Sequence, residues 1–289
     1  MSRSKAILLM VAASILWSFG GVFIKLLPWT SFAIAGLRSL VSATVVLIYL
    51  KGRIKRPSKH ILLGTTAYTA MLILYVCATK ATTAANAILL QYTAPIWLAL
   101  ISRIFLKEKI QRLDIMSIVT VFMGISIFFT ANISVGQMFG NFLAILSGIS
   151  LACVVLSLKH AKAEAEMQMI FWGNFATFII CLPLMGDVVI TAHTVGSILF
   201  LGIFQLGISY IIYANAVKHV SSIDAILVPI IEPLFNPIWV IIFAHEAPSI
   251  QAVIGGIIVV MAIVARNILM TKQQKKKRLI EEELAILKS

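Results

Sequence analysis

Arg38 and Glu232 are ionisable side chains placed well inside long apolar runs. A charge in that setting is costly, so it points either to a function or to a fixed structural partner. Glu232 lies near the middle of the run 221–243, which also carries Pro229, Pro233 and Pro237, four residues apart. Proline has no N–H, so a helix here leaves the carbonyls of Ala225, Pro229 and Pro233 without their usual partners. The helix should bend and open locally. At about 100° per residue, Ser221, Asp224, Glu232 and Asn236 share one face. A polar stripe on a kinked apolar helix should look into an internal, hydrated cavity. Glu232 could there bind a substrate cation or carry a proton; the structural alternative is a protonated or hydrogen-bonded glutamate. Arg38 cannot lose its charge. It could hold a substrate carboxylate, pair with Glu232, or serve only to cap backbone or snorkel.

Further candidates surround these two. Pro95 predicts a second kinked helix, on which Thr82, Asn86, Thr93 and Trp97 form a stripe while Gln91 and Tyr92 point elsewhere. Trp17, Tyr75, Tyr210 and Tyr213 fall at or near mid-span. Singly such aromatics are packing or interface anchors; together they could line a pocket for an amphipathic organic molecule. The expected substrate-binding set is Trp17, Arg38, Tyr75, Asn86, Gln91, Tyr92, Tyr213, Glu232 and Asn236. The expected kink set is Pro95, Pro229, Pro233 and Pro237. Glu108 and Glu246 read as structural, capping or pairing with nearby loops.

The elements that must position these residues are membrane helices. The chain has 289 residues, is 60% hydrophobic and 12% charged, and has a mean hydropathy of +1.00. A water-soluble protein would need far more charge to cover its surface. Apolar runs of about 20 residues, each enough to cross the hydrocarbon core, predict helices near 6–26, 30–50, 61–80, 83–105, 112–131, 138–158, 167–185, 194–217, 221–243 and 249–270. The first run, behind Arg3 and Lys5, resembles a signal peptide but lacks a convincing cleavage site and reads as a retained span. With a cytoplasmic N-terminus, 21 of the 24 basic residues fall in inside segments, against Lys25 and Lys80 outside and Arg38 within a span. That bias sets the orientation, with both termini cytoplasmic. It also explains the net charge of +13 without nucleic acid as a partner. Residues 271–289 form a basic tail, either solvated with a short helix or resting on anionic lipid. Cys77, Cys153 and Cys181 lie in apolar runs and read as small buried hydrophobes.

The chain repeats itself. At an offset of 138, residues 64–108 and 202–246 match at 11 of 45 positions, among them Gly64/Gly202, Tyr75/Tyr213, Lys80/Lys218, Pro95/Pro233 and Glu108/Glu246. Apolar bias would not readily align a lysine, a glutamate, a tyrosine and a mid-helix proline. Each unit, 6–131 and 138–270, then holds five helices. An odd number inserts the second unit upside down. The expected fold is an all-α integral membrane protein of ten transmembrane helices in two inverted five-helix repeats, an architecture many secondary transporters use for alternating access.

The stretch from Ala87 to Pro95 with Leu106-Lys107-Glu108, and its partner Ala225 to Pro233 with Glu246, resemble the fourth and ninth helices of EamA-like drug/metabolite transporters. Trp17 with Gly20 and Lys25 resembles that family's first helix, and Arg38 its second. The resemblance covers roughly 6–270. It implies a central cavity lined mainly by helices one, three, four, six, eight and nine, export or exchange of small metabolites, often amino acids, and the bacterial inner membrane. The second copy departs from the first: Val155, Ala163 and Ala176 stand at the positions of Trp17, Lys25 and Arg38, so any carried-over site is one-sided.

The rival readings are a passive channel or facilitator and an importer of a small organic solute. An enzyme is not expected. His60, His160, His193, His219 and His245 fall in loops or at helix ends without metal-like spacing, and neither a Gly-x-Ser-x-Gly nor a phosphate-binding loop is present. No cofactor is expected. The expected partners are a small-molecule substrate and membrane lipid, with a homo-oligomer compatible with the sequence.

Overall fold

The computed structural model describes residues 1–105, 112–128, 135–159, 165–220 and 228–288. Ser221, Asp224 and Glu108, singled out above, lie outside these residues. The described residues are helical, with no strand among them. Eight helical stretches are long and apolar enough to cross a membrane: Arg3–Leu26, Ser31–Tyr49, Ile61–Ala81, Ala84–Ile104, Val135–Ser157, Glu166–Leu184, Ala192–His219 and Ile250–Met270. Val228–Ala244 is a shorter apolar stretch, and Arg112–Phe128 has 17 residues.

Side-chain caps fix where several helices begin. Thr30 accepts from the Ala33 N–H at 3.1 Å to start α3, Ser31–Tyr49, while its own hydroxyl donates to the Met185 carbonyl at 2.7 Å. Ser58 caps α4, Lys59–Ala81, and Thr83 caps α5, Ala84–Gln91. Such caps satisfy N–H groups that the first turn leaves open, which matters most where water is scarce.

Three spans are interrupted. The first divides at Phe19 into α1, Arg3–Ser18, and α2, Gly20–Leu26. The fourth divides at Tyr92 and Thr93, just ahead of Pro95, into α5 and α6, Ala94–Phe105. The stretch Ala192–His219 runs as α10, Ala192–Leu199, a π-helical segment Phe200–Ile208, and α11, Ser209–Ala216. The remaining helices are α7, Arg112–Phe128, α8, Val135–Lys159, α9, Ala165–Cys181, α12, Ile231–Ala244, and α13, Ile250–Lys288. The last continues unbroken through the basic tail.

Helix α4 packs along α8, α3 along α9, α7 along α13, and the first span along α11 and α12. Glycines allow the close approaches: a Cβ at Gly148 would lie 2.8 Å from the Gln91 carbonyl oxygen, and one at Gly140 would lie 2.7 Å from the Thr82 nitrogen. Leu8, Ile48, Leu62, Ile104, Met116, Ile180 and Ile257 are exposed, whereas Ser14, Ser39, Ser42, Asn141, Asn174 and Asn236 are buried. An apolar exterior around an interior that buries polar side chains among its apolar ones is what lipid as the outer solvent requires.

Candidate functional site

Two helix breaks meet at the centre of the bundle. Pro233 has no N–H to give the Pro229 carbonyl. That carbonyl instead accepts from the Tyr92 hydroxyl at 2.8 Å, and Tyr92 stands at the break between α5 and α6. The same hydroxyl lies 2.8 Å from Glu232 Oε2. A phenol has one proton to donate. With Glu232 ionised, Tyr92 must divide that proton between carboxylate and carbonyl. With Glu232 protonated, the acid donates to Tyr92 and Tyr92 donates to Pro229. The protonation state of Glu232 therefore decides how firmly the two breaks are joined. Pro95 sits in the first turn of α6, Pro233 in the first turn of α12, and Pro237 within α12, preceded by the short 3-10 turn Val228–Ile230 that contains Pro229.

An aromatic wall stands beside this junction. Trp17 closes α1, with its ring centroid 5.1 Å from both Tyr210 and Tyr213 on α11. Tyr210 meets Tyr68 of α4 edge-on at 5.8 Å. Trp17 Nε1, the Tyr68 and Tyr75 hydroxyls and both amide atoms of Asn236, which rests on Gly21 of the first span, are buried without a hydrogen bond of standard geometry, although Tyr68 lies close to Asn174 and Tyr210, and Tyr75 close to Thr79 and Asn236. Buried polar atoms are nearly always paired, so a cluster of exceptions marks a place built for a polar guest or for water.

Arg38 projects from α3 into the same interior and is 1% exposed. Its Nη1 donates to Gln205 Oε1 at 3.4 Å and its Nη2 to the Leu72 carbonyl at 3.5 Å, while Nε has no partner. It forms no ion pair with Glu232, one of the alternatives the sequence left open. Tyr75 lies within electrostatic reach of both charges, and Tyr68 and Tyr210 within reach of Arg38.

Asn86 and Gln91 are taken up in helix-to-helix bonds on the α8 side. Asn86 Nδ2 donates to Asn141 Oδ1 at 3.2 Å, and Thr82 donates to the same oxygen at 2.7 Å. Gln91 donates to Ser147 Oγ at 2.7 Å, which in turn donates to the Met71 carbonyl. Trp97 of α6 donates back to Thr93 in the break before that helix. The structure thus brings together Trp17, Tyr75, Tyr92, Tyr213, Glu232 and Arg38, and places Asn86 and Gln91 outside that group.

Two residues that the sequence reading did not select belong to the site: Tyr68 and Gln205. Gln205 owes its position to the π-helical segment. Gly202 and Gly207 stand five apart, the π-helical interval, and lie directly on Val41 and Val45 of α3. That approach carries Gln205 between Arg38 and Gly20 of the first span. A glutamine flanked by two glycines in an otherwise apolar run was the available signal.

At one end of the bundle a second polar cluster forms. Lys25 makes a 2.7 Å ion pair with Glu246 and donates to the Thr82 carbonyl at 2.7 Å. Glu246 also accepts from the Ala84 N–H at 2.8 Å, capping α5, and Lys80 donates to the Leu27 carbonyl at 2.9 Å. His245 in the left-handed conformation (φ 52°) ends α12 and turns Glu246 back toward this cluster. Among the described residues no group of His, Cys, Asp or Glu could hold a metal ion.

Comparison with known proteins agrees with this architecture. The profile of the EamA-like transporter family matches residues 4–130 and again 138–267. The chain is 24% identical over 253 residues to an uncharacterized transporter of Archaeoglobus fulgidus, covering 85% of this chain and 90% of that protein. It is 25% identical over 276 residues to the uncharacterized transporter YdfC of Bacillus subtilis, covering 89% and 90%. It is 27% identical over 184 residues to the pseudopaline exporter CntI of Pseudomonas aeruginosa, covering 61% and 63%. A protein crystal structure with 17% identity shares the fold, with a TM-score of 0.65 over 93% of this chain and 99% of that one.

Proposed function

The chain belongs to the EamA-like transporter family, and we propose that it is a secondary transporter that exports or exchanges small amphipathic metabolites by alternating access. The observation that carries this reading is the contact of the Tyr92 hydroxyl with the Pro229 carbonyl and Glu232. On this reading the contact joins the breaks of two repeat-related helices near mid-membrane, the depth at which inverted-repeat carriers place their substrate and coupling sites.

The reading requires ten spans in two inverted five-helix units, 6–131 and 138–270. The family profile matches twice along the chain. The packing is also self-consistent under exchange of the units: α4 on α8 has its counterpart in α11 on the first span, and α5 and α6 on α8 in α12 on the first span, while α3–α9 and α7–α13 map onto themselves. Such a bundle has two equivalent ways to pack, one open to each side. Export as the direction draws on the likeness to the pseudopaline exporter. The distribution of basic residues favours both termini inside, and a bacterial cytoplasmic membrane is what the family resemblance implies.

In this carrier Glu232 binds an amine or a proton, and Trp17, Tyr75, Tyr210 and Tyr213 hold the apolar part of the solute. The test is counterflow in proteoliposomes. The wild type should give saturable, stereoselective exchange that depends on pH, and Glu232→Gln should abolish the exchange or its pH dependence. Flux that rises without saturation would instead identify a channel.

A further inference from the structure

The loop 51–59 carries five basic side chains, Lys51, Arg53, Lys55, Arg56 and Lys59, and all five are exposed. No Asp or Glu occurs in residues 1–107, so no acidic neighbour along the chain offsets this charge. The loop lies past the end of the span Ser31–Tyr49 and against the start of the span Glu166–Leu184, at the boundary between lipid and water. Basic loops orient a membrane protein by the number of their charges, and that role needs no particular shape. This loop nevertheless has one.

Lys51 and Gly52 both take the left-handed conformation, at φ 52° and 72°. The Gly52 N–H closes on the Leu47 carbonyl at 3.1 Å and the Lys51 N–H on that of Ile48 at 3.0 Å, the two bonds of a Schellman stop. The turn sends the chain across the start of α9. There Gln168, 4% exposed, holds the loop backbone as a neighbouring strand would. Its Nε2 donates to the Arg53 carbonyl at 2.9 Å, and its Oε1 accepts from the Lys55 N–H at 3.0 Å. Trp172, one turn further along α9, donates from Nε1 to the Lys55 carbonyl at 3.1 Å. All three bonds engage backbone, so the loop is fixed while its cationic side chains stay exposed.

Below the loop α9 turns an apolar stripe outward. Trp172, Phe175 and Ile179 share one face at i, i+3 and i+7. Phe175 and Ile179 are 39% and 49% exposed, and Trp172 meets Phe175 edge-on at 6.3 Å. A tryptophan with its ring on an apolar stripe and its N–H turned to a polar loop suits a membrane–water interface. Fixed cations above a lipid-facing stripe match a molecule with a phosphate at one end and long chains at the other.

We propose that the loop 51–59 and the stripe Trp172, Phe175 and Ile179 form a binding site for one anionic phospholipid. Arg53 and Arg56 hold its phosphate, to which a planar guanidinium can give two parallel N–H groups, and an acyl chain lies on the stripe. The site is separate from the central cavity and from the basic tail, and it stands whichever solute is carried. The loop comes from the unit 6–131 and α9 from the unit 138–270, so a bound lipid bridges the two.

Native mass spectrometry of the delipidated full chain in detergent gives relative affinities for phosphatidylglycerol and phosphatidylcholine with the same acyl chains. The first phosphatidylglycerol should bind at least about fivefold tighter than phosphatidylcholine. Arg53→Gln with Arg56→Gln should bring the two lipids within about twofold of each other. Gln168→Leu, which keeps every charge and releases the loop, should lower the preference as well. Lys275→Gln with Lys276→Gln and Lys277→Gln, in the tail, should leave it unchanged. Equal binding of the two lipids, a preference that survives loss of both arginines, or one that follows the tail would overturn the proposal. An unchanged preference in Gln168→Leu would reduce the loop to diffuse charge, and displacement of the lipid by equimolar inorganic phosphate would make the ligand a free anion; either also overturns it. All variants are first checked for monodispersity, and the exposed arginines keep the test decisive if Gln168→Leu fails to fold.

Discussion

Lys25 and Glu246, from the first and the last thirds of the chain, close a 2.7 Å ion pair over the end of the bundle where α2 and α12 finish. Both side chains keep partial contact with solvent, at 18% and 24% exposure, so the pair by itself is worth about 0.2–1 kcal/mol. Its effect lies in what it joins: Glu246 also caps α5, and Lys25 also holds the Thr82 carbonyl. A carrier that opens at this end must break all of these bonds together. Cysteines at positions 25 and 246, joined by a bifunctional crosslinker, should arrest counterflow, and a cleavable linker should restore it on reduction. Crosslinked protein that still exchanges at the wild-type rate would show that this end does not gate.

The Tyr92 hydroxyl gives a second test. Tyr92→Phe leaves the Pro229 carbonyl without a donor in a buried setting, at a cost of about 1–3 kcal/mol. Thermal unfolding in detergent should show the loss. Glu232→Gln keeps a neutral donor in place and should cost less, while removing the titration. The pair of variants therefore separates the two roles: the phenylalanine lowers stability, and the glutamine flattens the pH dependence of transport. If both lowered stability equally and left the pH profile unchanged, the junction would be structural only.

Much of the helix layout was legible in the sequence because lipid imposes long apolar runs, and Tyr92 and Glu232 could each be selected by type and depth. Their contact could not: the Pro229 carbonyl that Pro233 leaves open was legible, but not which helix brings a hydroxyl to it. Asn86 shows a different limit. Its stripe looks polar on a helical wheel, but in a membrane protein a polar face can meet a neighbouring helix as well as a cavity, and Asn141 of α8 takes it. Gln205 was missed because a π-helical turn shifts its side chain off the 100° register on which faces are drawn, whereas Tyr68 lies on the regular helix α4 and is marked only by its contact with Tyr210. The interruption at Phe19 involves no proline, so it gave no comparable signal.

The pairing of α7 with α13 should depend on one ion pair. Arg266 donates to Asp114 Oδ1 from Nε at 2.8 Å and from Nη2 at 2.5 Å, and the aspartate side chain is 8% exposed. Removing one partner from a largely buried pair takes away the counter-charge that offsets the desolvation of the other. Asp114→Asn should therefore destabilise by about 1–3 kcal/mol, more than Lys25→Met at the exposed end. The double variant Asp114→Asn with Arg266→Gln should recover part of the loss, and equal losses in single and double variants would rule out a direct coupling between the two.

Gly148 should tolerate no side chain. It stands on α8 against the break of the fourth span, where a Cβ would lie 2.8 Å from the Gln91 carbonyl oxygen, 3.3 Å from that of Leu90 and 3.3 Å from Thr93 Oγ1. The nearest two are backbone atoms, so neither can rotate away. Thr93 Oγ1 is already committed to the Leu90 carbonyl and to Trp97. An added methyl must then push α8 from the break or close the break itself, and overpacking of this kind costs about 1–3 kcal/mol. Gly196, where a Cβ would meet nothing within 4 Å, is the matched control. Gly148→Ala should lower both the thermal midpoint and the rate of counterflow, because the displaced break carries Tyr92 away from Glu232. Gly196→Ala should change neither. Equal behaviour of the two variants would mean that the fourth span does not hold Tyr92 in place through α8.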